Sequence, residues 1–202
     1  MATVPECDVI LDGVFNGLGI GGNTPAQKYG NIVAIVAALQ VINANQTIHV
    51  ATTGKISERL CQLGIDAVPT LAAAMRKYGL NWEWLGDFLL PGHPYDVAVS
   101  VKSFKAKERL LASGTGSLLT PTIGWGLFDD ATEWSEDRCK SYLYRGFVAI
   151  YMPAATLAQV SPPAQNIRNI NGNFLLRDMA NFSVDLTAAI PAGKDRLDAR
   201  LL

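Results

Sequence analysis

Apolar positions along the chain fall into runs separated by clear breaks. Ile32 to Leu39 is unbroken and resumes past Gln40 at Val41-Ile42. Thr24-Pro25 stands ahead of it, a capping residue followed by one whose fixed φ suits the first helical position. This predicts a buried or interface helix over 25–43, broken at Asn43-Ala44-Asn45. Residues 56–63 and 69–78 read as short helices stopped by Gly64 and Gly79. Two apolar runs, 82–90 and 95–103, flank Pro91-Gly92-His93-Pro94 and predict a strand hairpin. A basic helix is expected over 104–113, then a long loop over 118–134 containing Pro121, Gly124, Trp125 and Gly126. Ser135 caps a helix to Tyr144, with Glu136 and Asp137 in its first turn. Phe147 to Met152 is a strand that Pro153 ends.

The remainder is less regular. Residues 1–23 are Gly-rich and expected to be irregular; Gly17 to Gly22 lacks the spacing of a dinucleotide fingerprint. Short strands are expected at 173–176 and 182–186, and a frayed helix at 194–202. There is no internal repeat and no splitting linker. The predicted class is α/β with a small central mixed sheet flanked by helices. A single domain spans 1–202, its core about 69–153, with 1–24 and 154–202 peripheral.

Composition narrows the picture. The chain has 202 residues, 49% hydrophobic and 17% charged, which suits one globular domain. Its net charge of −1 gives no overall basic signal, so nucleic-acid binding must rest on local charge. The longest apolar run falls short of the roughly 20 residues of a membrane span, so no membrane partner is expected. Three dispersed cysteines and no visible secretory leader point to a reduced, cytoplasmic protein. Two histidines and no His/Cys cluster argue against structural zinc. No nucleotide cofactor is expected.

The candidate chemistry lies on the hairpin. Side chains alternate along a strand, so Asp96, Ala98, Ser100 and Lys102 share a face. A turn centred on Gly92-His93 sets residue 87 opposite 98 and 83 opposite 102, which brings Asp87 and Glu83 to that same face. Phe88, Leu90, Tyr95, Val97, Val99 and Val101 form the other, buried face. Two carboxylates beside a lysine can hold Mg²⁺ and support phosphodiester hydrolysis. The same alternation also describes the wet face of an ordinary antiparallel hairpin.

The segment from Asp87 to Arg109, with the strand 147–152, resembles the PD-(D/E)xK nuclease superfamily, particularly type II restriction endonucleases. That fold places an Asp at one strand, an acidic-x-Lys on the next, then a helix and a further strand. The resemblance implies a restriction endonuclease-like core and a Mg²⁺-dependent, site-specific endonuclease that hydrolyses duplex DNA as a homodimer in restriction-modification. It makes Asp87, Asp96, Lys102 and Glu108 catalytic, with Asp87, Asp96 and Glu108 on the metal. Asp87 lies 13 residues before Ser100, within the family's range, and Asp96 is its rival. Ser100-Val101-Lys102 stands where acidic-x-Lys belongs. One restriction-enzyme branch also has Ser or Thr there and takes its carboxylate from the next helix, roughly a dozen residues past the lysine. Here that distance falls on Thr115 and Gly116; Glu108 is the carboxylate on the helix, and a salt bridge to Lys105 is its other reading.

DNA contact is expected from Lys105, Lys107 and Arg109, which with Lys102 set four cations against Glu108 in eight residues. Base readout is expected from Thr120 to Trp125 or from Asn166 to Asn171, where Arg168 and Asn169 have the side chains that pair with guanine and adenine. The acidic stretch Asp129 to Asp137 is expected to lie away from DNA or at a subunit contact. The alternative function is a catalytically inactive DNA-binding or structural protein of the same fold, with Ser100 marking a lost metal site. A third reading, an unrelated small-molecule enzyme or interaction protein, finds no Ser/His/Asp trio in its support.

Overall fold

The computed structural model describes residues 4–45, 48–77, 86–104, 110 and 120–202. Five helices come first: α1 (Val4–Gly17), α2 (Pro25–Tyr29), α3 (Ile32–Asn45), α4 (Val50–Asp66) and α5 (Pro69–Ala72). α1 replaces the irregular start expected from the glycines, because Cys7, Leu11 and Val14 recur at helical spacing and are buried. The helix expected over 25–43 is two helices. Thr24 caps the first in a capping box with Gln27, and the chain restarts after Gly30-Asn31. Gly64 does not stop α4; it lies inside it, where a Cβ would come 2.7 Å from the Tyr29 ring and 2.8 Å from Phe182.

The strands β1 (Arg76–Lys77), β2 (Phe88–Leu90), β3 (Gly92–His93), β4 (Val97–Lys102), β5 (Thr122–Gly126) and β6 (Phe147–Met152) follow, with α6 (Glu136–Tyr144) before β6. Ser135 caps α6 and Pro153 follows β6, both as the sequence predicts. Then come α7 (Ala154–Leu157), α8 (Pro162–Gln165), β7 (Leu176–Asp178), α9 (Phe182–Ala188) and β8 (Leu197–Asp198). Six strands form one mixed sheet in the order β1-β2-β4-β5-β6-β7. β2 is antiparallel to both its neighbours, and the pairs from β4 to β7 are parallel. The α/β class is as expected, with a larger sheet than the sequence suggested.

β5 is the largest departure, since 118–134 reads as loop. Its glycines serve packing: at Gly126 a Cβ would lie 2.8 Å from the Lys102 carbonyl oxygen. The expected strand at 182–186 is helix α9, burying Phe182 and Leu186 one turn apart while Val184 is 63% exposed.

Helices cover both faces of the sheet. Val97, Val99, Val101, Ile123, Trp125 and Tyr151 pack with residues of α1, α3, α4 and α9. On the other face Leu110, Phe128, Trp134, Tyr142, Ile150 and Met152 form a second cluster. Ala98 and Ser100 are therefore buried rather than wet, as befits a strand in the interior of a largely parallel sheet.

Candidate functional site

Pairing sets Phe88 opposite Val99 and Leu90 opposite Val97. The expected register is thus shifted by two residues, an even slip that keeps every side chain on its face. Gly92-His93 is not the tip of a tight hairpin: it pairs with β8, and Asp96 accepts the Gly92 N–H at 3.1 Å.

Asp87 sits one residue ahead of β2, and its N–H donates to the Val99 carbonyl at 2.8 Å. Its carboxylate turns toward β4, where Oδ2 accepts the Val101 N–H at 2.6 Å. Lys102 is at the end of β4 with its side chain 16% exposed. Its Nζ donates to Ser100 Oγ and to the Val101 carbonyl, both at 2.9 Å, and lies 3.7 Å from Asp87 Oδ2. Asp87, Ser100 and Lys102 therefore converge at one corner of the sheet.

One further carboxylate, Glu58, acts on this corner without any mark in the sequence. Burial raises the Asp87 carboxyl above the ordinary carboxylate range; Lys102 and the Val101 N–H pull it down, and the charge of Glu58 pushes it up again. Glu58 lies on α4, ion-paired with Lys55 at 2.8 Å. Nothing in its own segment marks it, since only the packing of α4 against β4 brings it within electrostatic reach of Asp87.

No family model, curated protein or solved structure matches this chain. The functional reading therefore rests on the residues themselves.

Several expected residues stand elsewhere. Asp96 is four residues before Ser100, about 13 Å along the strand. It bonds Arg76 at 2.8 Å as well as the Gly92 N–H, so it closes the β2–β4 connection instead of joining Lys102. Asn169 is at the opposite end of the sheet and 6% exposed. Its Nδ2 donates to the carbonyls of Val148 at 2.6 Å and Leu202 at 2.9 Å, and its Oδ1 accepts the N–H groups of Asn171 and Asn173. An Asn so committed has nothing left to read a base with. Arg168 is exposed at that same end, its guanidinium 4.1 Å from the Phe174 ring centroid and bonded to the Gly172 carbonyl. Thr122 to Trp125 are buried in β5, and Tyr95 is 43% exposed rather than buried. Glu83, Lys105, Lys107, Glu108 and Arg109 lie outside the described residues.

Among the described residues, no three His, Cys, Asp or Glu side chains gather as a ready-made metal cage. Mg²⁺ needs no such cage, since it is commonly held by one or two carboxylates, several waters and substrate phosphates. Asp87 fits that role: Oδ2 is engaged, while Oδ1 accepts no hydrogen bond among the described residues.

Proposed function

We propose that this protein is a Mg²⁺-dependent endonuclease that hydrolyses phosphodiester bonds in duplex DNA, with a restriction endonuclease-like core. The meeting of Asp87, Ser100 and Lys102 beside the antiparallel β2–β4 pair carries this reading. The order of parts supports it: an Asp ahead of one strand, Ser-x-Lys on the next, helical Leu110, then parallel β5.

Asp87 would hold Mg²⁺ through its uncommitted oxygen, with waters and substrate phosphate completing the shell and the charge of Glu58 nearby. Bound there, the ion would acidify a water and offset charge on the phosphate. The chain's own residues do the positioning. The Val101 N–H fixes the Asp87 carboxylate, and Ser100 Oγ and the Val101 carbonyl aim the Lys102 ammonium. Lys102 offsets charge developing on the phosphate and orients the attacking water. Burial of the site strengthens each of these interactions.

Palindromic duplexes are cut by two-fold assemblies, so the active species is a homodimer. The outward side of α3 suits such a contact, with Val33 58% and Val41 61% exposed. No helix among the described residues is long and apolar enough to cross a membrane.

A second reading, binding without cleavage, draws on Ser100. It is fully buried and neutral where the acidic residue of the motif belongs. Nicking of supercoiled plasmid over a range of Mg²⁺ concentrations, with Lys102→Ala and Asp87→Ala proteins, separates the two. Loss of nicking in both variants is expected. Undiminished cleavage by Lys102→Ala would sink the site, and salt-sensitive binding with no cleavage at any Mg²⁺ level would favour the second reading.

A further inference from the structure

The end of the sheet opposite Lys102 holds a cleft of about 460 Å³, at the N-terminal ends of β5 and β6. Phe147, Tyr95, Tyr144, Ile170, Arg168 and Arg200 are among the residues that line it. Tyr144 is 84% and Ile170 74% exposed, so apolar surface that could have been covered faces water here. The size is within the small-ligand range of about 300–1,000 Å³ and near its lower end, enough for one ring system and its substituents.

The polar groups narrow the occupant. Arg200 forms a two-pronged pair with Asp198, at 2.9 and 2.6 Å, which cancels its charge. Arg168 has no carboxylate partner among the described residues; its guanidinium is held in place by the Phe174 ring and the Gly172 carbonyl. A guanidinium held this way offers its remaining N–H groups as a fork for an anion. A peptide strand is a poor fit, because the backbone at the rim is already bonded: Asn169 N–H to Asn173, Gly172 N–H to Asn169 and Thr122 N–H to Gly146. Exposed tyrosines beside an available arginine suit a planar ring that carries an anion.

We propose that this cleft binds one nucleotide unit, its base against the Tyr144 and Tyr95 rings and its phosphate at Arg168. The inference goes beyond hydrolysis at Lys102 and does not need it. A free mononucleotide and an unpaired nucleotide of a strand present the same chemistry.

The test is NMR titration of the full chain in EDTA, so that Mg²⁺-dependent cleavage plays no part. The probes are dTMP, thymidine, inorganic phosphate and 5′-phosphorylated oligothymidylate. Saturable shifts at the cleft with dTMP are expected, several-fold tighter than with thymidine or phosphate. Arg168→Gln should bring dTMP down to thymidine, and Tyr144→Ala should weaken both by about tenfold. Lys102→Ala should change neither. Tighter binding of the oligomer than of dTMP assigns the site to a strand, and equal binding to a free nucleotide. Equal binding of dTMP by wild type and Arg168→Gln, no saturation, or loss of dTMP binding in Lys102→Ala would overturn the proposal. The Lys102→Ala outcome keeps failure here distinct from failure of the nuclease reading.

Discussion

Asp87 and Lys102 face each other at 3.7 Å across the antiparallel β2–β4 pair, yet the Asp87 carboxyl is raised, not lowered. Burial outweighs the lysine, so the pair is held at a cost in stability, as functional sites often are.

Asp87→Asn should expose that cost. A carboxyl whose folded pKa lies above its unfolded value binds its proton more tightly in the folded state. Its contribution is most favourable in acid and declines as pH rises from about 3.9, the unfolded value, through the raised one. Asn keeps an acceptor for the Val101 N–H and removes the buried charge. The variant should melt above wild type at pH 7, with the gap closing below about pH 4. Nicking should fall at least about a hundredfold. A lower melting temperature at pH 7 would show that Lys102, not burial, governs this carboxylate.

Glu58→Gln removes a like charge from the neighbourhood of Asp87. The Asp87 carboxyl should titrate lower, moving the acid limb of the pH–rate profile to lower pH. If Glu58 also holds the ion, the Mg²⁺ needed for half-maximal nicking rises. The Lys55 pair is partly exposed, so stability should change by no more than about 1 kcal/mol. An unshifted profile and an unchanged Mg²⁺ requirement would remove Glu58 from the site.

Much of the fold is legible in the sequence where one local rule governs a segment. Thr24-Pro25 and Ser135 start helices as capping chemistry predicts, and the apolar run 147–152 is a strand between Gly146 and Pro153. The rules fail where tertiary packing selects the residue. Gly124 and Gly126 look like loop, but they allow β5 to lie close to Leu110 and the Lys102 carbonyl. The alternation Phe182, Val184, Leu186 looks like strand, but Phe182 and Leu186 are also one helical turn apart. At the site, an even register error leaves Ser100 and Lys102 on one face, while Asp87 stands just outside β2 and comes to Lys102 through its bond from the Val101 N–H, which parity does not give. Glu58 comes from a distant helix, and Asp96 is lost to Arg76; neither follows from spacing.

Asn169→Ala tests the reassignment of that residue from DNA contact to structure. It cuts four hydrogen bonds that tie β6, residues 171–173 and Leu202 together. The backbone groups left buried and unpaired should cost about 1–3 kcal/mol, read from chemical denaturation. Duplex affinity per folded molecule should be unchanged in a salt titration. A selective loss of affinity with normal stability would restore the recognition role.

Gly126→Ala places a methyl group 2.8 Å from the Lys102 carbonyl oxygen and against the Phe128 ring. Neither neighbour is the free end of a flexible chain, so the strand must shift. A loss of about 1–3 kcal/mol is expected. Because the displaced carbonyl belongs to Lys102, nicking should fall by more than the folded fraction does. Activity that follows the folded fraction alone would show that the lysine is held by its side-chain bonds and not by its backbone.

The three cysteines report on the packing of both layers. All are buried and free: Cys7 on α1, Cys61 on α4 and Cys139 on α6. Burial is the main cause of each shift, with the Asp8 charge adding at Cys7; Cys7 is pushed up to about 11, Cys139 to about 12, and Cys61 well above the ordinary thiol range. The thiolate is the reactive species, so at pH 8 only about one Cys7 in a thousand is reactive even before access is counted. A disulfide reagent should therefore find no titratable thiol in the native protein within minutes, and three in denaturant. The slow native reaction should follow opening of the fold, since Cys61 and Cys139 are fully buried and Cys7 nearly so. A thiol that reacts at once at pH 8 would show that the layer it belongs to is open.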